Sequence, residues 1–277
     1  MRVLALSPGP LSDQLVRMPA LASLCRTLGA SLQVACSPAC REAWMLLPAL
    51  DKLIPIDFDN DPALADWANL LGSIREPDFQ ICLNFVEGRQ VNLMLSMSRI
   101  MTRIGRTGFS STERVVDGPG WSAQRLAPWL EPLGVSLDAD AFRLTLPQPV
   151  LDQVRSDHPE GDGPLLLMAP QGGATDWPEE HWIELPSAIQ TRLATLRCDR
   201  LPAGLPLIRR AAAVACADVV LTSCPITQIL TVFSGTPLVA LGAEPGLLPE
   251  RSDLRCLGTA SELTTLQEDE VLKALGF

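Results

Sequence analysis

Asp13 is the first side chain along the sequence placed to do chemistry. It ends the segment Gly9-Pro10-Leu11-Ser12-Asp13, which joins the apolar run Val3–Ser7 to the helical pattern Gln14–Leu28. In open parallel sheets, ligands bind at the carboxyl ends of strands. A carboxylate there can take the proton of a hydroxyl nucleophile. Ser12 or Asp13 capping the next helix is the plainer reading of the same spacing. A second turn, Ala169-Pro170-Gln171-Gly172-Gly173-Ala174, follows the apolar run Leu165–Ala169. Glycines ahead of a helix let backbone N–H groups approach a phosphate, and the helix N-terminus favours its charge. An ordinary turn would use the same residues. Thr222-Ser223-Cys224-Pro225-Ile226-Thr227 supplies hydroxyls that suit a phosphate or a sugar, or else cap the helix starting at Pro225.

Other chemistries find less support. The turns lack G-x-G-x-x-G, and two prolines stiffen Ser7-Pro8-Gly9-Pro10, so a nicotinamide-linked oxidoreductase fits poorly. The two histidines, His158 and His181, stand far apart, which argues against a Ser–His–Asp triad or a two-histidine metal site. Trp177-Pro178-Glu179-Glu180-His181-Trp182 opens a helix and has a structural explanation throughout. Acidic residues suit a first turn, proline suits its start, and the tryptophans pack.

Elements that would position these residues recur along the chain. Candidate strands are Val3–Ser7, Leu32–Cys36, Leu53–Asp57, Phe79–Asn84 and Arg103–Arg106. Between them lie the helical patterns Gln14–Leu28, Pro38–Leu47, Pro62–Ile74 and Gln90–Met101, and Trp121–Leu133 follows the Asp117-Gly118-Pro119-Gly120 turn. Residues 134–164 are rich in Pro, Asp and Gly and read as an interdomain linker. The rhythm then restarts with strands Leu165–Ala169, Ala194–Arg197, Asp218–Leu221 and Leu238–Leu241. Helices Pro178–Gln190, Pro206–Cys216, Pro225–Phe233 and Glu268–Leu275 accompany them. Such alternation predicts an α/β fold with parallel strands and crossover helices. Two domains are expected, 1–145 and 146–277, with the last helix free to pack back on the first.

The 277 residues suit two domains of ordinary size, and 47% apolar content suffices for a core. A formal net charge of -10 disfavours nucleic acid as a partner, although Arg99, Arg103 and Arg106 form a local basic stretch. No apolar run spans a bilayer, and Val3–Leu6 is too short for a signal peptide. A soluble, cytoplasmic protein is therefore expected, with peripheral membrane contact left open. The eight cysteines lack zinc spacing and read as buried thiols. Tyrosine is absent, which has no physical explanation here.

Taken together, these stretches resemble glycosyltransferase family 9, the ADP-heptose:lipopolysaccharide heptosyltransferases and their relatives. Gly9 through Asp13, followed by Met18-Pro19-Ala20-Leu21, resembles the family's opening turn and helix. Leu53-Ile54-Pro55-Ile56 and Arg103-Ile104-Gly105 resemble later segments of its first half. Trp177-Pro178-Glu179-Glu180-His181-Trp182 and Ser234-Gly235-Thr236-Pro237-Leu238-Val239-Ala240-Leu241-Gly242 resemble its second half. The resemblance implies a GT-B architecture, two Rossmann-like domains with parallel sheets facing a cleft. It also implies inverting, metal-independent sugar transfer in lipopolysaccharide biosynthesis, with no cofactor beyond the nucleotide-sugar substrate. Asp13 matches the family's proposed base, and Gly9 and Ser12 lie in its acceptor-side loop. In an enzyme of this kind with an altered donor site, Gln171, Gly172, Gly173, Thr175, Ser223 and Thr227 would supply the donor contacts through backbone and hydroxyl groups.

Departures from the family pattern fall mainly in the second half. Thr175 stands where the family has a lysine, and Asp176 follows it. Leu221–Ile229 lacks the family's Asp, Gly and His signature, and Leu185–Pro206 is short. At an effective dielectric of about 20, unit charges ~4 Å apart interact by about 4 kcal/mol, so a carboxylate at 176 opposes a phosphate. Two functions remain: a glycosyltransferase with an altered donor site, and a non-catalytic relative serving as a binding or assembly module. Neither reading identifies a protein partner.

Overall fold

The structure, a computed structural model, describes residues 1–75 and 78–277. The chain divides into two compact units, Met1–Phe142 and Arg143–Phe277.

Unit 1 contains strands β1 (Arg2–Leu6), β2 (Ser31–Cys36), β3 (Leu50–Pro55), β4 (Ile81–Asn84), β5 (Thr102–Gly105) and β6 (Glu113–Arg114). Its helices are α1 (Leu11–Leu28), α2 (Arg41–Trp44), α3 (Leu64–Arg75), α4 (Arg89–Ser96) and α5 (Ala127–Leu130). The described strands form a six-stranded sheet in the order β3-β2-β1-β4-β5-β6, and every pairing is parallel. This is the Rossmann order, which reverses direction between β1 and β4. β1 is continuously apolar and buried from Val3 to Leu6, as befits a strand covered on both faces. α1 is buried around much of its circumference, with Leu15, Met18, Leu21 and Leu24 among its core residues. It ends where Gly29 adopts φ 58° and donates its N–H to the Cys25 carbonyl.

Unit 2 contains α6 (Gln148–Asp157), β7 (Leu165–Ala169), α7 (Glu179–Gln190), β8 (Arg197–Arg200), α8 (Leu207–Cys216), β9 (Val219–Thr222), α9 (Pro225–Ser234), β10 (Leu238–Leu241), β11 (Leu254–Leu257) and α10 (Glu268–Leu275). Its described strands run β11-β10-β9-β7-β8, again all parallel. That is the flavodoxin-like order, with its reversal between β7 and β9. α10 buries Val271 and Leu272 in this unit's core and packs on α7, β10 and β11.

Several sequence expectations need correction. The stretch read as linker contains α6, whose Pro149 fits the first turn. Pro38–Leu47 is a short 3-10 turn plus the four-residue α2, and Trp121–Leu133 is also a chain of short turns. The strand expected at Ala194–Arg197 begins only at Arg197. All eight cysteines are free, but they are not uniformly buried. Cys25, Cys36, Cys40 and Cys82 are buried, whereas Cys256 is exposed. Burial pushes the Cys25 thiol up to about 11 and Cys36 to about 12, so these thiols pack as neutral groups.

Candidate functional site

The loop leaving β1 is held from beneath by Gln14. Its buried amide donates to the carbonyls of Pro8 and Gly9, both at 2.9 Å. Its carbonyl oxygen accepts from the Ser7 hydroxyl at 2.6 Å and from the Trp44 indole at 3.0 Å. Gly9 takes φ 88°, a left-handed conformation, and a Cβ there would lie 2.5 Å from Asp13 Oδ2. Glycine therefore serves both the turn and the placement of the Asp13 carboxylate. The Gly9 N–H donates to Asp59 Oδ2 at 2.7 Å.

Neither Ser12 nor Asp13 caps α1. The N-cap is Pro10, with no side-chain cap bond. Asp13 instead lies in the first turn, with its side chain 49% exposed and Oδ2 3.5 Å from Arg17. Arg17, one turn on, donates to the Ser7 hydroxyl at 2.8 Å and the Pro8 carbonyl at 2.5 Å. Burial lowers the Arg17 guanidinium to about 10, against the opposing pull of Asp13, so it stays charged at neutral pH.

An aromatic wall supports these charges. Arg17 lies over the Phe85 ring at 4.8 Å, Phe85 stacks on Trp129 at 4.4 Å, and Arg106 lies over Trp129 at 5.7 Å. Arg106 also pairs with Asp117 at 2.5 Å, and the Trp129 indole donates to Asp117 at 3.1 Å. Burial acts to raise Asp117, but the hydrogen bonds from Arg106 and Trp129 outweigh it and hold the carboxyl below its ordinary value. Asp13, Arg17, Phe85, Arg106, Asp117 and Arg125 border a cavity of about 210 Å3. Three guanidinium groups against two carboxylates make this lining net positive in a chain of net charge -10. Phe85 directly follows β4, and α1, whose first turn bears Asp13, follows β1, so the cavity lies at the sheet's reversal point, where ligands bind in such folds. A larger concavity of about 440 Å3 runs along the β2–β3 edge, away from that reversal.

In unit 2, the corresponding reversal joins the ends of β7 and β9. The Gln171 N–H donates to the Ser223 hydroxyl at 2.8 Å, and the Thr222 hydroxyl donates to the Ala169 carbonyl at 2.6 Å. Gly172 and Gly173 have φ 80° and 102°, conformations that glycine tolerates. Gly172 N–H donates to Asp176 Oδ2 at 2.6 Å, and Trp177 N–H donates to Asp176 Oδ1 at 2.7 Å. Thr175 is exposed on this turn, while Asp176 is buried. Thr227 lies apart from the turn residues: it is fully buried on α9, and its hydroxyl accepts from the buried Arg210 at 3.0 Å. Arg210 also binds the carbonyls of Pro202 and Ala203. Ser223 joins Gln171 across the crevice, whereas Thr227 braces the helices.

The sequence did not single out Gln14, Arg17, Phe85, Asp117 or Trp129. Gln14 and Arg17 are local to Asp13, lying on the same helix one residue and one helical turn on. Phe85, Asp117 and Trp129 converge from segments distant in sequence. Among the described residues, one group, His181, Glu184 and Glu268, brings possible metal-ligating atoms within 4.8 Å of one another, on α7 and α10. Glu184 is exposed. No described helix is long and apolar enough to cross a membrane.

Neither a protein-family model nor a curated protein matches the chain. Solved structures do match over nearly its whole length. A glycosyl transferase family 9 protein from Veillonella parvula superposes with TM-score 0.75 at 17% identity, covering 99% of this chain and 95% of that one. Escherichia coli ADP-heptose LPS heptosyltransferase II gives 0.73 at 17% identity, covering 99% and 97%. E. coli heptosyltransferase WaaC with ADP gives 0.71 at 15% identity, covering 99% of each. The chain therefore has the fold of heptosyltransferases, as the sequence resemblance implied.

Proposed function

We propose that the chain is a heptosyltransferase-like glycosyltransferase. It transfers a sugar, with inversion, from a nucleotide-sugar to a hydroxyl of a glycan or lipid-linked saccharide. The observation that carries this reading is the half-exposed Asp13 carboxylate beside an arginine-bordered cavity at the reversal point of the first sheet. The fold shared along the whole chain supports it. In the reaction, Asp13 accepts the proton of the acceptor hydroxyl, whose oxygen attacks the anomeric carbon. The bond from that carbon to the nucleoside diphosphate breaks, and the diphosphate leaves with its electron pair. Asp13 is the catalytic base; Arg17 and Gln14 position its loop. The Gly172–Gly173 turn, with Gln171, Thr175 and Ser223 around it, is the donor side; Thr227, buried on α9, braces that side from within. A cytoplasmic place in lipopolysaccharide biosynthesis belongs to the same proposal.

Calorimetric and thermal-shift titration with ADP- and UDP-sugars tests the reading. A ligand at about 100 times its dissociation constant adds about 2.7 kcal/mol of stability. No response to any nucleotide-sugar contradicts the proposal. A second reading, a non-catalytic binding module on the same fold, draws its support from Asp176, which fills the backbone amides of the donor-side turn.

A further inference from the structure

We infer that Asp176 is a built-in competitor for donor phosphate and sets the specificity of the donor-side turn. The inference rests on the reading of that turn as the donor site. Residues 170–173 leave β7 at the reversal point of the second sheet, where an anionic ligand of this fold would approach. A Cβ at Gly172 or Gly173 would meet nothing within 4 Å, so the outer face of the turn is sterically open. Two of its amides, however, are already engaged, Gln171 N–H by the Ser223 hydroxyl and Gly172 N–H by Asp176. Asp176 offers one oxygen to the Gly172 N–H at 2.6 Å and the other to the Trp177 N–H at 2.7 Å. One oxygen of the carboxylate thus holds a glycine amide of the turn, the kind of donor that a phosphate takes in such turns, while the other is anchored on the next residue's amide. Asp176 is 8% exposed, so its carboxylate is held in the turn and not displayed beside it.

A neighbouring cation is already shared with another carboxylate. Arg200, whose guanidinium senses Asp176, is bound by both oxygens of Glu179 at 2.5 and 2.8 Å. An arriving diphosphate must either displace the carboxylate, losing two charge-assisted hydrogen bonds, or lie beside it against like-charge repulsion. Both routes lower affinity for phosphate-bearing donors, and both are relieved by removing the charge at 176. Serine and asparagine keep an acceptor for the turn amides, so they separate the loss of charge from collapse of the turn.

The experiment is calorimetric titration of the full chain with inorganic pyrophosphate and with ADP. Wild type, Asp176→Asn, Asp176→Ser and Glu179→Gln are compared, with folding checked by circular dichroism. Asp176→Asn and Asp176→Ser are expected to bind both probes at least about tenfold more tightly than wild type. Glu179→Gln, which frees Arg200, should give a smaller gain. Unchanged or weaker binding in the folded Asp176 variants overturns the inference, as does a failure of every variant to bind pyrophosphate. If the Asp176 variants do not fold, Glu179→Gln decides between the outcomes, and unchanged affinity there is then the contradicting result. The wider function is judged separately by sugar transfer. Wild-type transfer with no gain in the variants sinks only the role of Asp176. Tighter pyrophosphate binding without any transfer sinks only the glycosyltransferase reading.

Discussion

The β1–β4 crevice of unit 1 and the β7–β9 crevice of unit 2 use similar residue types and leave them in different states. In unit 1, the Gly9 amide is satisfied by Asp59, a residue 50 positions away, and Asp13 remains half-exposed beside a cavity. In unit 2, the Gly172 amide is satisfied by Asp176, only four positions away, and that carboxylate is buried. Ser223 and Thr222 tie the ends of the two strands together with hydroxyls that a ligand would otherwise use. A glycine turn at a strand end is thus not a site in itself. What matters is which partner satisfies its amides, and whether any charged group is left with capacity to spare.

The sharpest structural challenge to this comparison is Trp129→Ala. Trp129 is fully buried and supports Phe85, Arg106 and Asp117 together. Truncating a buried tryptophan costs about 3–5 kcal/mol, which urea unfolding of the variant should register. Saccharide binding should be lost with it. Retained binding would mean that the aromatic wall does not shape the acceptor cavity.

A milder test lies in unit 2. Thr227→Val keeps the volume of the side chain and removes the hydroxyl that Arg210 uses. Leaving a buried donor short of a partner costs about 1–3 kcal/mol. Stability should fall by that amount while ADP affinity stays within about twofold, a change of under about 0.5 kcal/mol. A large loss of ADP affinity at unchanged stability would give Thr227 the direct donor contact expected of an altered donor site.

The smallest expected effect concerns acid. The folded-state Asp117 carboxyl is depressed, so its contribution is present above the unfolded value near pH 4 and is lost as pH falls through the lower folded value. Wild type should therefore lose stability more steeply than Asp117→Asn between about pH 4 and pH 2. Because the side chain is 33% exposed, solvent screening keeps the difference small. Parallel pH curves would show that the Arg106–Asp117 pair adds nothing to unit 1.

Much of the fold was legible where a single local rule dominates. β7, β10 and α10 carry the same limits in sequence and structure because unbroken apolar runs and an acidic first turn mark them. α6 was hidden because Pro147, Pro149 and the nearby acidic residues look like linker, although proline in a first turn starts a helix. β11 was missed because its Arg255 and Cys256 are exposed at a sheet edge, which removes the apolar signal. At the candidate site, Asp13 and the glycine turns were visible as local motifs. The Arg17–Phe85–Trp129–Arg106 stack was not, because residues so far apart in sequence meet only through the fold. The roles of Asp176 and Thr227 also depended on hydrogen bonds that residue type alone does not specify.

Sugar transfer by wild type and Asp13→Asn, measured beside ADP affinity, tests the central claim most directly. With Asp13 as base, the variant should lose about 10²–10⁴-fold in turnover, while its nucleotide affinity stays within about twofold, under about 0.5 kcal/mol. Turnover within a few-fold of wild type, or a matching loss of nucleotide binding, would contradict the claim and leave Asp13 a structural residue of the first turn.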